Sequence, residues 1–254
     1  MAVLTEKQIK YGFDYYHKDD ARPKSVVEVS EYDGEDKLII NCTQLDEGYS
    51  AKDKKRIWLE WCDFLVNNPD AFTELMFCTR MPQDLFDAVC AQRRLKKLHI
   101  KWGVYPDISK LENLQELEYL HIGSGRSVSS LEPISRLVNL VALSIENFQQ
   151  IDDYAPLANL KHLESLALEG DFAAPKILKV QSLEFLRHMK QLRFFSLLTA
   201  KVIDKDYSPV LELNNLEHLT LKSCKEVKQL YPQFVKLPKL KYGTVLERPE
   251  LYEK

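Results

Sequence analysis

Two histidines, His99 and His121, stand 22 residues apart, and a third, His218, follows much later. Imidazoles brought together can share a metal or change charge near neutral pH. A catalytic zinc needs three protein ligands and a water. No acid in the adjacent repeats is an obvious further ligand, since Glu146 lies a repeat further on and in another column, so the sequence points to a polar pair and to no metal. The run Gly123-Ser124-Gly125-Arg126-Ser127 has the look of an anion nest but sits where a turn is expected. No nucleophile elbow, phosphate-binding loop, dinucleotide fingerprint or zinc-protease motif occurs, and only 8 glycines are present to build such loops. No cofactor is expected, and the chain reads as a non-enzyme. An alternative is an enzyme or enzyme subunit whose site lies in residues 1–70, but that segment offers only His17 and scattered acids.

The chemistry-bearing residues are spaced by a repeat. The phrase LxxLxL recurs as Phe72/Leu75/Phe77, Leu95/Leu98/Ile100, Leu117/Leu120/Ile122, Leu140/Leu143/Ile145, Leu163/Leu166/Leu168, Leu192/Phe195/Leu197 and Leu216/Leu219/Leu221, with a fading copy at Leu240/Gly243/Val245. Successive starts are 23, 22, 23, 23, 29, 24 and 24 residues apart. A fixed period decides architecture before any single residue does. Within each copy the fourth and sixth residues share one face of a strand, so the third, fifth and seventh must share the other. After each strand comes a second phrase with proline near its start, at Pro133, Pro156, Pro209 and Pro232. Proline suits the first turn of a short helix, where its missing N–H costs nothing.

On these motifs the chain resembles the leucine-rich-repeat proteins over about 70 % of its length, with repeats nearest the short internalin-like kind. The resemblance implies an α/β solenoid with a parallel sheet on a concave face, short helices or 3₁₀ turns on the convex face, and a protein partner held in the hollow. Family members often carry Asn or Cys at the ninth repeat position, whereas this chain has Arg80, Gly103, Gly125, Phe148, Asp171, Ala200 and Cys224 there. Irregular turns after the strands are therefore expected.

The outward columns then name the candidate partner-binding residues. The third-position column includes Lys97, Tyr119, Phe194 and His218; the fifth includes His99 and His121; the seventh includes Lys101, Glu146, Glu169 and Lys222. Tyr119, Phe194, His218 and neighbouring Trp102 are large residues placed where solvent is expected, and such residues anchor interfaces. The long repeat that begins at Leu163 places its extra residues in a rim loop at 171–180, whose apolar Phe172, Ile177 and Leu178 either fold back onto the edge of the core or meet the partner.

Residues 1–70 fall outside the period and are expected to form an α+β cap. Two short strands around Tyr32-Asp33-Gly34 suggest a hairpin, and Ile57, Trp61, Phe64 and Leu65 suggest a helix that starts at an Ser50 cap. The tyrosine-rich start at 11–17 reads as packing for that cap. Residues 71–246 are the solenoid and 247–254 a C-terminal cap. The net charge of −3 offers no global attraction to nucleic acid or to an anionic membrane. Five cysteines without paired spacing fit a reducing, cytoplasmic setting. The expected function is protein–protein interaction, in a specific version as an inhibitor or immunity-type protein, with a self-associating assembly role as a further alternative.

Overall fold

The computed structural model describes residues 3–14, 20–171 and 176–253. Nine parallel strands form the main sheet: β1 (Lys24–Val26), β2 (Lys37–Ile40), β3 (Glu74–Phe77), β5 (Lys97–Ile100), β7 (Tyr119–Ile122), β8 (Ala142–Glu146), β9 (Ser165–Glu169), β11 (Phe194–Leu198) and β13 (His218–Leu221). Two minor ladders run beside it, β4 (Met81–Pro82) with β6 (Gly103–Val104), and β10 (Leu178–Val180) with β12 (Ala200–Val202). Neighbouring strands pair in the phase set by the leucines: Leu75, Leu98, Leu120, Leu143, Leu166, Phe195 and Leu219 are partners in one unbroken row. Every member of that row is fully buried. Each such side chain is stabilised by about 1.5–3 kcal/mol on leaving water, so a slip of one residue on any strand would be heavily penalised.

Helical segments close the other face. They are α2 (Ala51–Asn67) and α3 (Gln83–Val89) near the start, one-turn α4 (Glu132–Ser135) and a series of 3₁₀ turns in the middle, and α5 (Lys225–Phe234) near the end. Pro133, Pro156 and Pro209 each lie in the first turn of their segment. Pro232 does not, and corrects the expectation for the fourth copy. The last coil is backed by a ten-residue helix that already begins at Lys225, which leaves Pro232 inside it.

The expected hairpin is also corrected, because β1 and β2 pair in parallel. The Asp33-Gly34 turn is present, with Gly34 at φ +95°, but the 3₁₀ turn Val29–Glu31 precedes it and carries the chain back to the starting edge. Lys24 fastens that crossover by bonding the Glu31 carbonyl, Asp33 and Glu35. The sheet of the solenoid thus begins at Lys24. The helix α2 forms as expected: Ser50 accepts a hydrogen bond from the Asp53 amide, and Ile57, Trp61 and Leu65 are buried one turn apart. Trp61 then donates to the Val27 carbonyl at 2.7 Å and locks the helix to the crossover.

After the strands the turns are irregular. Ser124, Asn147 and Thr199 all take positive φ, near +56°, +61° and +51°, at equivalent places in their repeats. In the fading eighth copy Tyr242 still bridges to His218 before Gly243 turns at φ +100°. A Cβ at Gly243 would lie 2.2 Å from the Leu219 carbonyl oxygen. The chain then enters α6 (Thr244–Glu247), and Tyr252 seals the end by donating to the Leu221 carbonyl at 2.6 Å.

Candidate functional site

The outward columns exist in the order expected from the repeat. Glu74, Lys97, Tyr119, Ala142, Ser165, Phe194, His218 and Tyr242 are cross-strand partners in one row, and Met76, His99, His121, Ser144, Ala167, Ser196 and Thr220 in the next. Solvent covers them only in part. The chain's own N-terminal segment lies there, and His121, Phe194 and His218 are buried although they point away from the leucine core. Expected exposure at these three residues is therefore corrected, while the phase that places them stands.

The covering segment is residues 3–14. Its helix α1 (Glu6–Tyr11) starts with a reciprocal cap: Thr5 accepts from the Gln8 amide, and Gln8 accepts from the Thr5 amide. Such a cap satisfies two otherwise unpaired donors and lets a short helix form. Leu4, Ile9 and Phe13 face the sheet and join Val141 and Ala142 in a cluster separate from the main core, flanked by Tyr119 and Tyr242. The rings of Phe13 and Tyr119 are 6.0 Å apart. At one end Tyr242 donates to Glu6 at 2.7 Å. The small residues Ala142 and Ser165 leave the room that the segment fills.

The other end of the segment is electrostatic. Asp14 reaches His121, its carboxylate 3.1 Å from Nδ1, and Ser144 Oγ lies 3.0 Å from the same nitrogen. Burial pushes the Asp14 carboxyl up, but the hydrogen bond and charge of His121 and a backbone amide outweigh it, so the net shift is downward. Burial drives His99 well below the usual imidazole range, helped by neighbouring His121. Glu169 is raised, first by burial and then by repulsion from Asp14 and Glu146. His218, stacked on Phe194 with ring centres 4.2 Å apart, falls to about 4 for the same reason of burial.

Neither of two familiar chemistries fits this cluster. A hydrolytic relay needs the nucleophile on one imidazole nitrogen and the carboxylate on the other. Here Ser144 and Asp14 meet the same Nδ1, so His121 has no path for passing a proton between them. The rings of His99 and His121 stack face to face, 4.2 Å apart and 14° from parallel. Their nitrogen lone pairs run side by side and do not converge on a shared ion.

The remaining expected residues lie at the margins. Lys97 pairs with Glu74 at 3.0 Å beside a cleft of about 510 Å³ that the segment, through Gln8 and Phe13, forms with Arg22 and Lys37. Lys101 and Lys222 are exposed at the strand ends, Glu146 and Glu169 are half-buried near Asp14, and Trp102 is a half-buried wall of a rim hollow with Arg126 and Ser127. In the long repeat Leu178 folds into the core while Ile177 is exposed, and Phe172 lies outside the described residues, as does His17. Sequence reasoning missed Leu4 and Ile9, and it assigned the start at 11–17 to packing of the cap, whereas Phe13 and Asp14 lie over the sheet and residues 15–17 fall outside the described residues. The Thr5/Gln8 cap and the apolar spacing of the segment were visible signals of a helix, but nothing in them says where a helix docks.

Comparison with known proteins agrees with this architecture. No family model matches the sequence. An internalin, inlF, from Listeria monocytogenes superposes with a TM-score of 0.51 at 18 % identity over 81 % of this chain and 51 % of that chain. Internalin C2 from the same species gives 0.49 at 20 % identity, covering 70 % and 71 %. In sequence, the Mus musculus volume-regulated anion channel subunit LRRC8E is 34 % identical over 92 residues, 36 % of this chain and 11 % of that protein. The chain thus spans about half of inlF and about a tenth of LRRC8E. The fold is the leucine-rich-repeat solenoid.

Proposed function

We propose that this protein is a non-enzymatic interaction module that binds a protein partner on the open face of its sheet, and that residues 3–14 govern access to that face. One observation carries the reading: the columns the repeat points outward pack on a segment of protein, Leu4, Ile9 and Phe13, which buries Phe194 and His218 and half-buries Tyr119. A face that accepts a peptide segment of its own chain has the shape and chemistry to accept another. Solenoids of this architecture use such extended surfaces for recognition. Lys101, Trp102 and Lys222 form the rim of the proposed site, and rim charges of this kind set association rate and register more than affinity. The free thiols of Cys42, Cys62, Cys78, Cys90 and Cys224 support a reducing, cytoplasmic setting. Occlusion of a toxin or enzyme, as an inhibitor does, is the finer version of this role.

Affinity capture with three forms of the 254-residue chain tests it. The wild type, the double variant Ile9→Asp/Phe13→Asp, and that variant with Ala142→Arg added serve as baits, with bound proteins quantified by mass spectrometry. A partner of the open face is enriched on the double variant and lost on the triple variant. Retention that is indifferent to both changes would sink the proposal.

A further inference from the structure

The segment fills the face without satisfying it. Its apolar contacts are good, yet three polar atoms of the two covered columns, His99 Nδ1, Ser165 Oγ and His218 Nδ1, are buried with no hydrogen-bond partner. Ser165 is only 1 % exposed and His218 7 %. His218 is approached by the backbone of Ile9 and Lys10, its Nε2 lies 2.9 Å from Thr220 Oγ1, and no well-aligned hydrogen bond forms at Nδ1. Buried polar atoms in proteins are almost always paired, and an orphan is costly. The apolar cluster that holds the segment is small and detached from the continuous core beneath the sheet. The face therefore has hydrogen-bonding capacity that its resident occupant does not use.

We infer that the open face between Tyr119 and Tyr242 is a receptor for a short amphipathic helical segment of a partner protein, for which residues 3–14 are the built-in substitute. The recognised segment carries apolar side chains at the spacing of Leu4, Ile9 and Phe13 and a carboxylate just beyond them for His121. It adds polar groups where Ser165 Oγ goes unpaired and His218 Nδ1 is poorly satisfied. The inference rests on the interaction-module reading and gives the partner's chemistry. Displacement needs only that the incoming segment bind the face better than the tethered one at its local concentration.

The probe is a fluorescein-labelled peptide spanning residues 3–14, titrated by anisotropy into the wild-type 254-residue chain and its Ile9→Asp/Phe13→Asp variant. Circular dichroism and sedimentation establish that the variant is folded and monomeric. The variant binds the peptide saturably, and the wild type at least about tenfold more weakly because its own segment competes. Substitution Asp14→Asn in the peptide weakens binding by about tenfold, the scale of a charge-assisted hydrogen bond. A peptide that keeps only Leu4, Ile9, Phe13 and Asp14 within an otherwise changed helical sequence still binds, and one with serine at the three apolar positions does not. Ala142→Arg in the variant abolishes binding. No binding to the folded variant, or equal binding of the serine peptide, overturns the inference. If the peptides fail while protein capture still responds to Ala142→Arg, the partner chemistry alone is wrong; if capture fails too, the binding face is wrong with it.

Discussion

The two faces of one sheet are both buried, by different means. Beneath it, the row from Leu75 to Leu219 is sealed by side chains that belong to every repeat, in a core continuous from Val26 to Tyr252. Above it, the row from Tyr119 to Tyr242 is sealed by twelve residues from one end of the chain, with orphan polar atoms trapped at the join. Burial alone therefore does not distinguish a structural core from a site. The distinction lies in whether the covering groups can leave while the fold survives, and in whether the covered polar atoms are satisfied.

That distinction is measurable, and the largest effect lies on the lower face. Leu143→Ala removes a fully buried side chain from the middle of the leucine row and should destabilise the whole solenoid by about 3–4 kcal/mol, read as a lower urea midpoint. Phe13→Ala, 5 % exposed in the wild type, removes comparable bulk from the upper face. It should weaken closure of the segment by about 2–3 kcal/mol while shifting the urea midpoint little. The readout is hydrogen exchange at the amides of Ile9 and Gly12, which bond to Thr5 and Gln8 carbonyls at 3.0 Å. If Phe13→Ala instead lowers global stability as much as Leu143→Ala, the upper face is core and the comparison collapses.

The solenoid was legible because its signal is repeated. Each LxxLxL copy reports the same strand phase, and seven copies fix the pairing register that the sheet shows. The first two strands were expected but their parallel pairing into the main sheet was not legible, because the spacing from Leu38 to its partner Leu75 is 37 residues and from Ser25 to Ile39 only 14, neither near the period. Asp33-Gly34 favours a turn, but whether a turn reverses a strand or returns the chain to the same edge depends on where Lys24 and Trp61 anchor the crossover. The columns of the upper face were legible to the residue. Their occupant was not: contact between Glu6 and Tyr242 joins the two ends of the chain, and no local pattern encodes a pairing that distant.

The two faces should also separate with pH. In the closed state His218 is held near 4 by burial, whereas a released face would return it toward its ordinary value of about 6.5. A base whose closed-state value is depressed favours closure above its released value and withdraws that support as pH falls toward about 4. Between pH 7 and pH 5 the loss is about 2 kcal/mol, roughly thirtyfold in the closure equilibrium. His99, lowered mainly by burial, acts in the same direction. Asp14, net lowered, keeps its charge through this window and loses its contribution only in stronger acid; raised Glu169 takes up its proton earlier and opposes the trend in part. Exchange at Ile9 and Gly12, corrected for the intrinsic rate, should therefore accelerate on acidification while amides of the leucine row hold. A His218→Leu variant whose segment still opens as much between pH 7 and pH 5 would remove His218 as the cause.

The smallest effect has the opposite sign from the rest, which makes it the sharpest discriminator. Ser165 Oγ is buried without a partner between Ala142, which packs on the segment, and Phe194, so closure should strip water from a hydroxyl and give nothing in return. Ser165→Ala removes that cost from the closed state only, since an open face hydrates the hydroxyl freely. Closure should tighten by about 1 kcal/mol, and exchange at Ile9 and Gly12 should slow by roughly fivefold. The same truncation in a satisfied core would destabilise. Faster exchange in Ser165→Ala would mean that the hydroxyl does find a partner beneath the segment, and that the upper face is packed as completely as the lower one.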